Sequence, residues 1–218
     1  MGWIVVTDFD GTLTDKDVGN ELSKEALGPY FYDTHGRYKK GEFGLRELQQ
    51  KIWQNFPMTE SLLIERSMHH GQFRPGVSEF LAKCAKQNIP VYVASCGVRQ
   101  YIESVLSKLE PEARSAVHEI RCNEAEFGPT GIKRFLPPTA AADCPYPLDK
   151  GAWALEIAAR HPGRKLLGIG NGTSDRSFWP RVHKLAATEG LADWCRANNV
   201  PFTAFEDFRS LLDLEIFA

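Results

Sequence analysis

The sequence predicts an α/β fold: a three-layer, doubly wound parallel sheet with a small helical insertion after its first strand. Two observations carry this. Short, unbroken apolar runs recur along the chain with helix-period stretches between them, and one N-terminal region shows helical signals alone. The length of 218 residues suits one full core plus a smaller addition, at roughly 150 residues per domain.

Residues 3–7 (WIVVT) form the first run. A parallel strand covered on both faces reads as a continuous apolar stretch, not as an alternation. Similar runs lie at Pro90–Ala94 and Lys165–Ile169, with weaker ones at His118–Cys122, His183–Ala187 and Pro201–Phe205. Helical periodicity occupies Val77–Lys86, Val98–Leu109, Lys150–Arg160, Leu191–Asn198 and Phe205–Leu214, which predicts βαβ units. Between Asp17 and Gln72 only helical signals occur, at Val18–Ala26, Gly44–Trp53 and Thr59–His69, punctuated by Gly28-Pro29, Gly41 and Pro57. Arg74-Pro75-Gly76 marks the return to the sheet, because Pro and Gly favour a loop before a helix. The expected organisation is a core of residues 1–16 and 73–218 with a helical unit of 17–72. Residues 128–150 carry five prolines and read as a long ordered loop, with room for a small hairpin. Tyr30, Phe31 and Tyr32 are expected to pack inside the insertion.

Composition narrows the function. Twenty-six Lys plus Arg against 28 Asp plus Glu give a net charge of −2, which argues against nucleic acid as a partner. No apolar run reaches 18 residues and mean hydropathy is −0.32, so no membrane span is expected. The N-terminal residues do not resemble a signal peptide or a myristoylation site. Five scattered cysteines without a CxxC pair favour reduced thiols and a cytoplasmic location.

Four segments could carry chemistry. Asp8-Phe9-Asp10-Gly11-Thr12 follows the first apolar run, where ligands bind in open α/β sheets. Carboxylates two residues apart on extended chain project to one side, and close carboxylates share a proton or a cation. A polar strand end with an Asx turn reads the same way. Ser95-Cys96-Gly97 ends the second strong run, as a phosphate-binding turn or as a simple helix cap. Lys150 opens a helix, where a cation opposes the macrodipole; a bound phosphate would account for it, and so would a solvated surface position. Gly170-Asn171-Gly172-Thr173-Ser174-Asp175 follows the third run, without a dinucleotide fingerprint or a P-loop.

In this order, the four segments resemble the motifs of the haloacid dehalogenase superfamily, and the insertion resembles its C1-type cap. Within the superfamily the chain is similar to the phosphoserine phosphatase group. Arg74-Pro75-Gly76, Ile89–Val93, Cys122-Asn123 and Trp194–Phe208 look most like the 2-hydroxy-3-keto-5-methylthiopentenyl-1-phosphate phosphatases. The resemblance implies a Mg²⁺-dependent phosphomonoesterase for a small phosphorylated metabolite. Asp8 would be the nucleophile that forms an aspartyl-phosphate, and Asp10 the acid and base. Gly11, Thr12, Ser95, Cys96 and Lys150 would bind the phosphate, and Asp17 would be a cap residue facing substrate. Asp8, the Asp10 carbonyl, Asn171 and Asp175 would hold Mg²⁺. Two departures from the family pattern stand out. Asn171 replaces an acid, which lowers the charge available to a hard cation. Gln50 stands near where a carboxylate-binding Arg is expected, which disfavours phosphoserine. The alternatives are transfer to an alcohol acceptor and a catalytically weakened binding relative; a homodimer is also left open.

Overall fold

The structure, a computed structural model, describes residues 2–54, 56–138 and 144–218. Strand β1 (Trp3–Thr7) leads into four helices: α1 (Val18–Leu27), α2 (Pro29–Lys39), α3 (Leu45–Trp53) and α4 (Glu60–His70). The chain then runs through α5 (Val77–Lys86), β2 (Val91–Val98), α6 (Arg99–Leu106) and the single turn α7 (Pro111–Arg114). It continues with β3 (Val117–Gly128), β4 (Gly131–Leu136), α8 (Lys150–Arg160), β5 (Lys165–Gly170), β6 (Lys184–Ala187), α9 (Glu189–Ala197) and β7 (Thr203–Ala204). The sheet order is β4-β3-β2-β1-β5-β6-β7, parallel except for the β3–β4 hairpin. β1 is therefore central, and the chain reverses its winding beside it, which leaves a crevice at its carboxyl end.

The apolar run of β1 is buried on both faces, as its sequence requires. Trp3 and Val5 join a cluster with Phe80 and Leu81 of α5 and Ile102 and Val105 of α6. Ile4 and Val6 join a second cluster with Trp153 and Ile157 of α8 and Leu191 of α9. The inserted helices share the first cluster through Leu22, Leu48, Ile52, Trp53 and Leu63. A bridge between Thr14 and Phe73 closes the base of the insertion.

Three elements depart from expectation. Helix α2 starts at the Gly28-Pro29 break, because proline is tolerated at the first helical position. It buries only Phe31 and Thr34; Tyr30 and Tyr32, expected in the interior, are 50% and 63% exposed. Such a weakly amphipathic helix leaves no periodic signature. β3 is 12 residues long and pairs with β4, so the proline-rich stretch opens with the hairpin; residues 139–143 lie outside the described residues. Residues 205–214 form no α-helix: Phe208–Asp213 is a 3₁₀ turn capped by Asp207.

Candidate active site

The site is assembled at the carboxyl ends of β1, β2 and β5. The amide of Asp8 extends the β1–β5 ladder by one residue, donating to the Ile169 carbonyl at 2.9 Å. Phe9 points away and is fully buried, which contributes about 2 kcal/mol of hydrophobic anchoring and commits its two acidic neighbours to the opposite side. Gly11, at φ +70°, then turns the chain.

Lys150 is the cation of the site. Its Nζ lies 2.6 Å from Asp8 Oδ1 and 2.6 Å from Asp175 Oδ1, and its side chain is 1% exposed. Burial works against its charge, but Asp175 and then Asp8 outweigh that and hold the ammonium above the usual lysine range. This resolves the unfavourable lysine at a helix N terminus: two carboxylates offset both the dipole and the desolvation. Burial, and then the charge of Asp175, push the Asp8 carboxyl well above the ordinary range, while Lys150 pulls it down.

Asp10 is fully solvated by the protein. Its Oδ1 accepts from the Val18 and Gly19 amides at the start of α1 (3.1 and 3.3 Å), and its Oδ2 from Tyr101 Oη (2.7 Å) and Ser95 Oγ (3.2 Å). Burial raises its pKa, opposed by the Tyr101 hydrogen bond and the Gly19 amide. Asp17 caps α1 through the Asn20 amide at 2.7 Å. Burial and then the Asp10 charge push its carboxyl up to about 7.

A cavity of about 180 Å³ joins these groups. Its polar floor contains Asp8, Asp10, Asp17, Cys96, Lys150 and Asn171; Phe31, His35, Tyr38, Leu48, Ile52 and Trp53 of the insertion form its roof. His35 stacks on Phe31 with centroids 5.2 Å apart, and burial, then Lys39 and Lys24, depress its pKa. No arginine lines this cavity among the described residues.

Several expected phosphate and metal contacts are engaged elsewhere. The Gly11 amide donates to Thr14 Oγ1 and the Lys16 carbonyl, Thr12 Oγ1 donates to Asn171 Oδ1, and Ser95 Oγ donates to Asp10. Gly11, Thr12 and Ser95 do not reach the cavity wall, whereas Cys96 and Lys150 do. Burial pushes the Cys96 thiol up to about 12, which keeps it a neutral filler. Asp175 has both oxygens occupied, Oδ1 by Lys150 and Oδ2 by the Asn171 and Gly172 amides at 3.0 and 2.9 Å. It braces the loop after β5 and orients Lys150. Among the described residues no group of three or more His, Cys, Asp or Glu side chains has metal-binding geometry. The remaining donors (an Asp8 oxygen, the Asp10 carbonyl and Asn171 Oδ1) are all hard oxygens, and Asp8 and Asn171 both line the cavity. Such a set fits Mg²⁺, which retains several waters.

Three contributors escaped the sequence reading. Tyr101 supplies the shortest bond to Asp10, and a Cβ on Gly97 would lie 1.7 Å from its hydroxyl oxygen. Asn123, fully buried, donates from Nδ2 to the Cys96 carbonyl and steadies the β2 turn. Glu189 bonds Asn171 from the start of α9. Only the Cys122-Asn123 stretch carried a signal for any of them.

The family model for haloacid dehalogenase-like hydrolases matches residues 5–179. The chain belongs to this family. It is 25% identical over 222 residues to the 2-hydroxy-3-keto-5-methylthiopentenyl-1-phosphate phosphatase of Bacillus cereus (strain AH187), covering 95% of this chain and 93% of the relative. In shape it is similar to phosphoserine phosphatase from T. onnurineus in complex with NDSB-201 (TM-score 0.68, 18% identity, covering 98% and 94% of the two chains). A phospho-aspartyl intermediate analogue of phosphoserine phosphatase matches with TM-score 0.71 and 14% identity, covering 97% of each chain. The expected α/β core of this family is thus the fold observed, and the relatives that place the chain among its enzymes are phosphoric monoester hydrolases. No helix among the described residues is long and apolar enough to cross a membrane.

Proposed function

We propose that this haloacid dehalogenase-like hydrolase is a Mg²⁺-dependent phosphomonoesterase that hydrolyses a small phosphorylated metabolite through an aspartyl-phosphate on Asp8. One observation carries the reading: Asp8 and Asp10 directly follow the central strand at the floor of a cavity roofed by the inserted helices, with the buried Lys150 ammonium 2.6 Å from Asp8. The five free cysteines and the phosphatase relatives support a cytoplasmic metabolic enzyme.

In this reading an Asp8 oxygen attacks phosphorus in line with the departing alcohol. Asp10, whose pKa burial raises, carries the proton that the alkoxide takes, and then draws a proton from the water that attacks the aspartyl-phosphate. Phosphate leaves and Asp8 is restored. Lys150 offsets the charge gathered beside Asp8. An Asp8 oxygen, the Asp10 carbonyl and Asn171 Oδ1 would hold the cation, whose charge neutralises the phosphoryl oxygens. Residues 17–72 act as a cap that excludes bulk water from this chemistry.

The cavity supports a small leaving group. Its 180 Å³ falls below the span of about 300–1,000 Å³ common for drug-sized ligands. The roof offers aromatic and aliphatic contact and a His35 held toward its neutral form, with no arginine to grip a carboxylate. Phosphoserine is therefore disfavoured. The test is a panel of small phosphate monoesters with Mg²⁺, run on wild type and Asp8→Asn. Turnover of at least one ester is expected, with a loss of about 10³-fold or more in the variant. Retained turnover in Asp8→Asn overturns the nucleophile assignment, and an inert wild type overturns the phosphatase reading.

A further inference from the structure

Asn171 is an amide set between two unlike neighbours. Its Oδ1 accepts from Thr12 Oγ1 at 3.2 Å, and its Nδ2 donates to Glu189 Oε2 at 3.1 Å. A threonine hydroxyl can donate or accept, so it does not decide which way an amide points. A carboxylate only accepts, so Glu189 does. The amide nitrogen also packs tightly on the turn after β1: a Cβ on Gly11 would lie 2.4 Å from it.

Glu189 is itself anchored. Its Oε1 takes Arg74 Nη2 at 2.7 Å. Arg74 is 8% exposed and also donates to the Gly11 carbonyl (2.6 Å) and the Glu206 carbonyl (2.9 Å). Glu189 is half-exposed, so the ion pair and not burial fixes its side chain. Its backbone sits at φ +49°, a strained value for a residue with a Cβ, which the surrounding contacts must hold. The buried arginine thus ties the turn after Asp10, the start of α9 and the loop after β5 into one unit.

We propose that Glu189 is a positioning residue for the reaction: it locks the Asn171 amide with nitrogen toward α9 and oxygen as the end offered to a cation, and it makes Asn, not Asp, the residue that position 171 accommodates. The cation role of Asn171 rests on the proposed phosphatase reading. An Asp at 171 would set a carboxylate oxygen against Glu189 Oε2 at hydrogen-bond distance with no proton between them. The family acid and Glu189 are therefore alternatives at this corner of the site.

Two double-mutant cycles test this, using Asn171→Asp, Glu189→Gln and the double variant at pH 7.5. The first reads urea stability of the metal-free protein. Asn171→Asp should lower the folding constant at least about fivefold more in the wild-type background than in the Glu189→Gln background. The second reads Mn²⁺ affinity from the electron paramagnetic resonance of free Mn²⁺. Asn171→Asp should tighten binding about tenfold more once Glu189 is neutral. Glu189→Gln preserves shape and leaves Arg74 its two carbonyl partners, so it should fold. Additive effects in the metal-free cycle would overturn the proposal. Coupling there without Mn²⁺ binding by any of the four proteins would keep the amide orientation and overturn the cation role, and with it the metal-dependent reading.

Discussion

Replacing Lys150 with methionine keeps the length of the side chain and removes its charge. Two carboxylate oxygens, each now 2.6 Å from the ammonium, would face one another across a buried apolar group. At an effective dielectric near 20, each contact is worth about 6 kcal/mol of gross attraction, most of it offset by desolvation of the ions. Removing one partner of a buried ion pair nevertheless costs about 3–5 kcal/mol, because uncompensated charge remains. That is a large share of a total stability of about 5–15 kcal/mol. Lys150→Met should therefore lose about 3–5 kcal/mol in urea unfolding at pH 7.5, and its Tm should fall by roughly 10 °C. The loss should shrink at pH 5, because Asp8, whose carboxyl already lies above the ordinary range, takes up a proton and relieves the repulsion. A loss below about 1 kcal/mol at pH 7.5 would place Lys150 outside the support of the site, and a loss that ignores pH would rule out the repulsion argument.

The cap acid should show in the pH profile of stability. Asp17 titrates near 7 when folded and near 3.9 when unfolded, so the folded chain holds the extra proton between these values. Its stabilising contribution is complete below about pH 4 and is lost, at up to about 1.4 kcal/mol per pH unit, as pH rises through 7. Asp17→Asn keeps a good helix cap and should flatten that slope, gaining on wild type between pH 5 and 8; a constant difference would refute it. In Tyr101→Phe, Asp10 loses a hydrogen bond that lowers its pKa, so the alkaline limb of kcat/KM should move upward; an unchanged profile would detach Tyr101 from the acid. Gly97→Ala should be the more damaging change, about 10²-fold in kcat, because its Cβ would displace Tyr101 and lie 3.0 Å from Asp10 Oδ2; wild-type activity would refute the packing argument.

What was legible in the sequence was what repeats or recurs locally. The apolar runs at Trp3–Thr7 and Lys165–Ile169 and the helices 77–86 and 150–160 follow from burial on both faces and from 3.6-residue periodicity. Asp8, Asp10 and Lys150 could be placed at strand ends and at a helix start, and they do converge on one cavity. Helix α2 was hidden because its stabilising face is narrow, and Gly28-Pro29 reads equally as a stop or a start. Tyr101 and Glu189 were invisible for another reason: each acts across the fold on a residue 91 or 18 positions away. A phosphate role is legible for Ser95 from its place between a strand and a helix, and for Gly11 from the family resemblance; the partners they have, Lys16, Thr14 and Asp10, depend on how the turn closes.

The bonds from the Val18 and Gly19 amides to Asp10 make the first turn of α1 part of the acid itself. A helix N terminus stabilises a nearby anion, but the packing that supplies these two donors also keeps water off the carboxyl, and burial is the larger influence on its pKa. The start of α1 therefore acts on one side chain in two opposed ways. It fixes where the carboxylate oxygens point, and it belongs to the enclosure that leaves Asp10 a weaker acid than an aspartate in water.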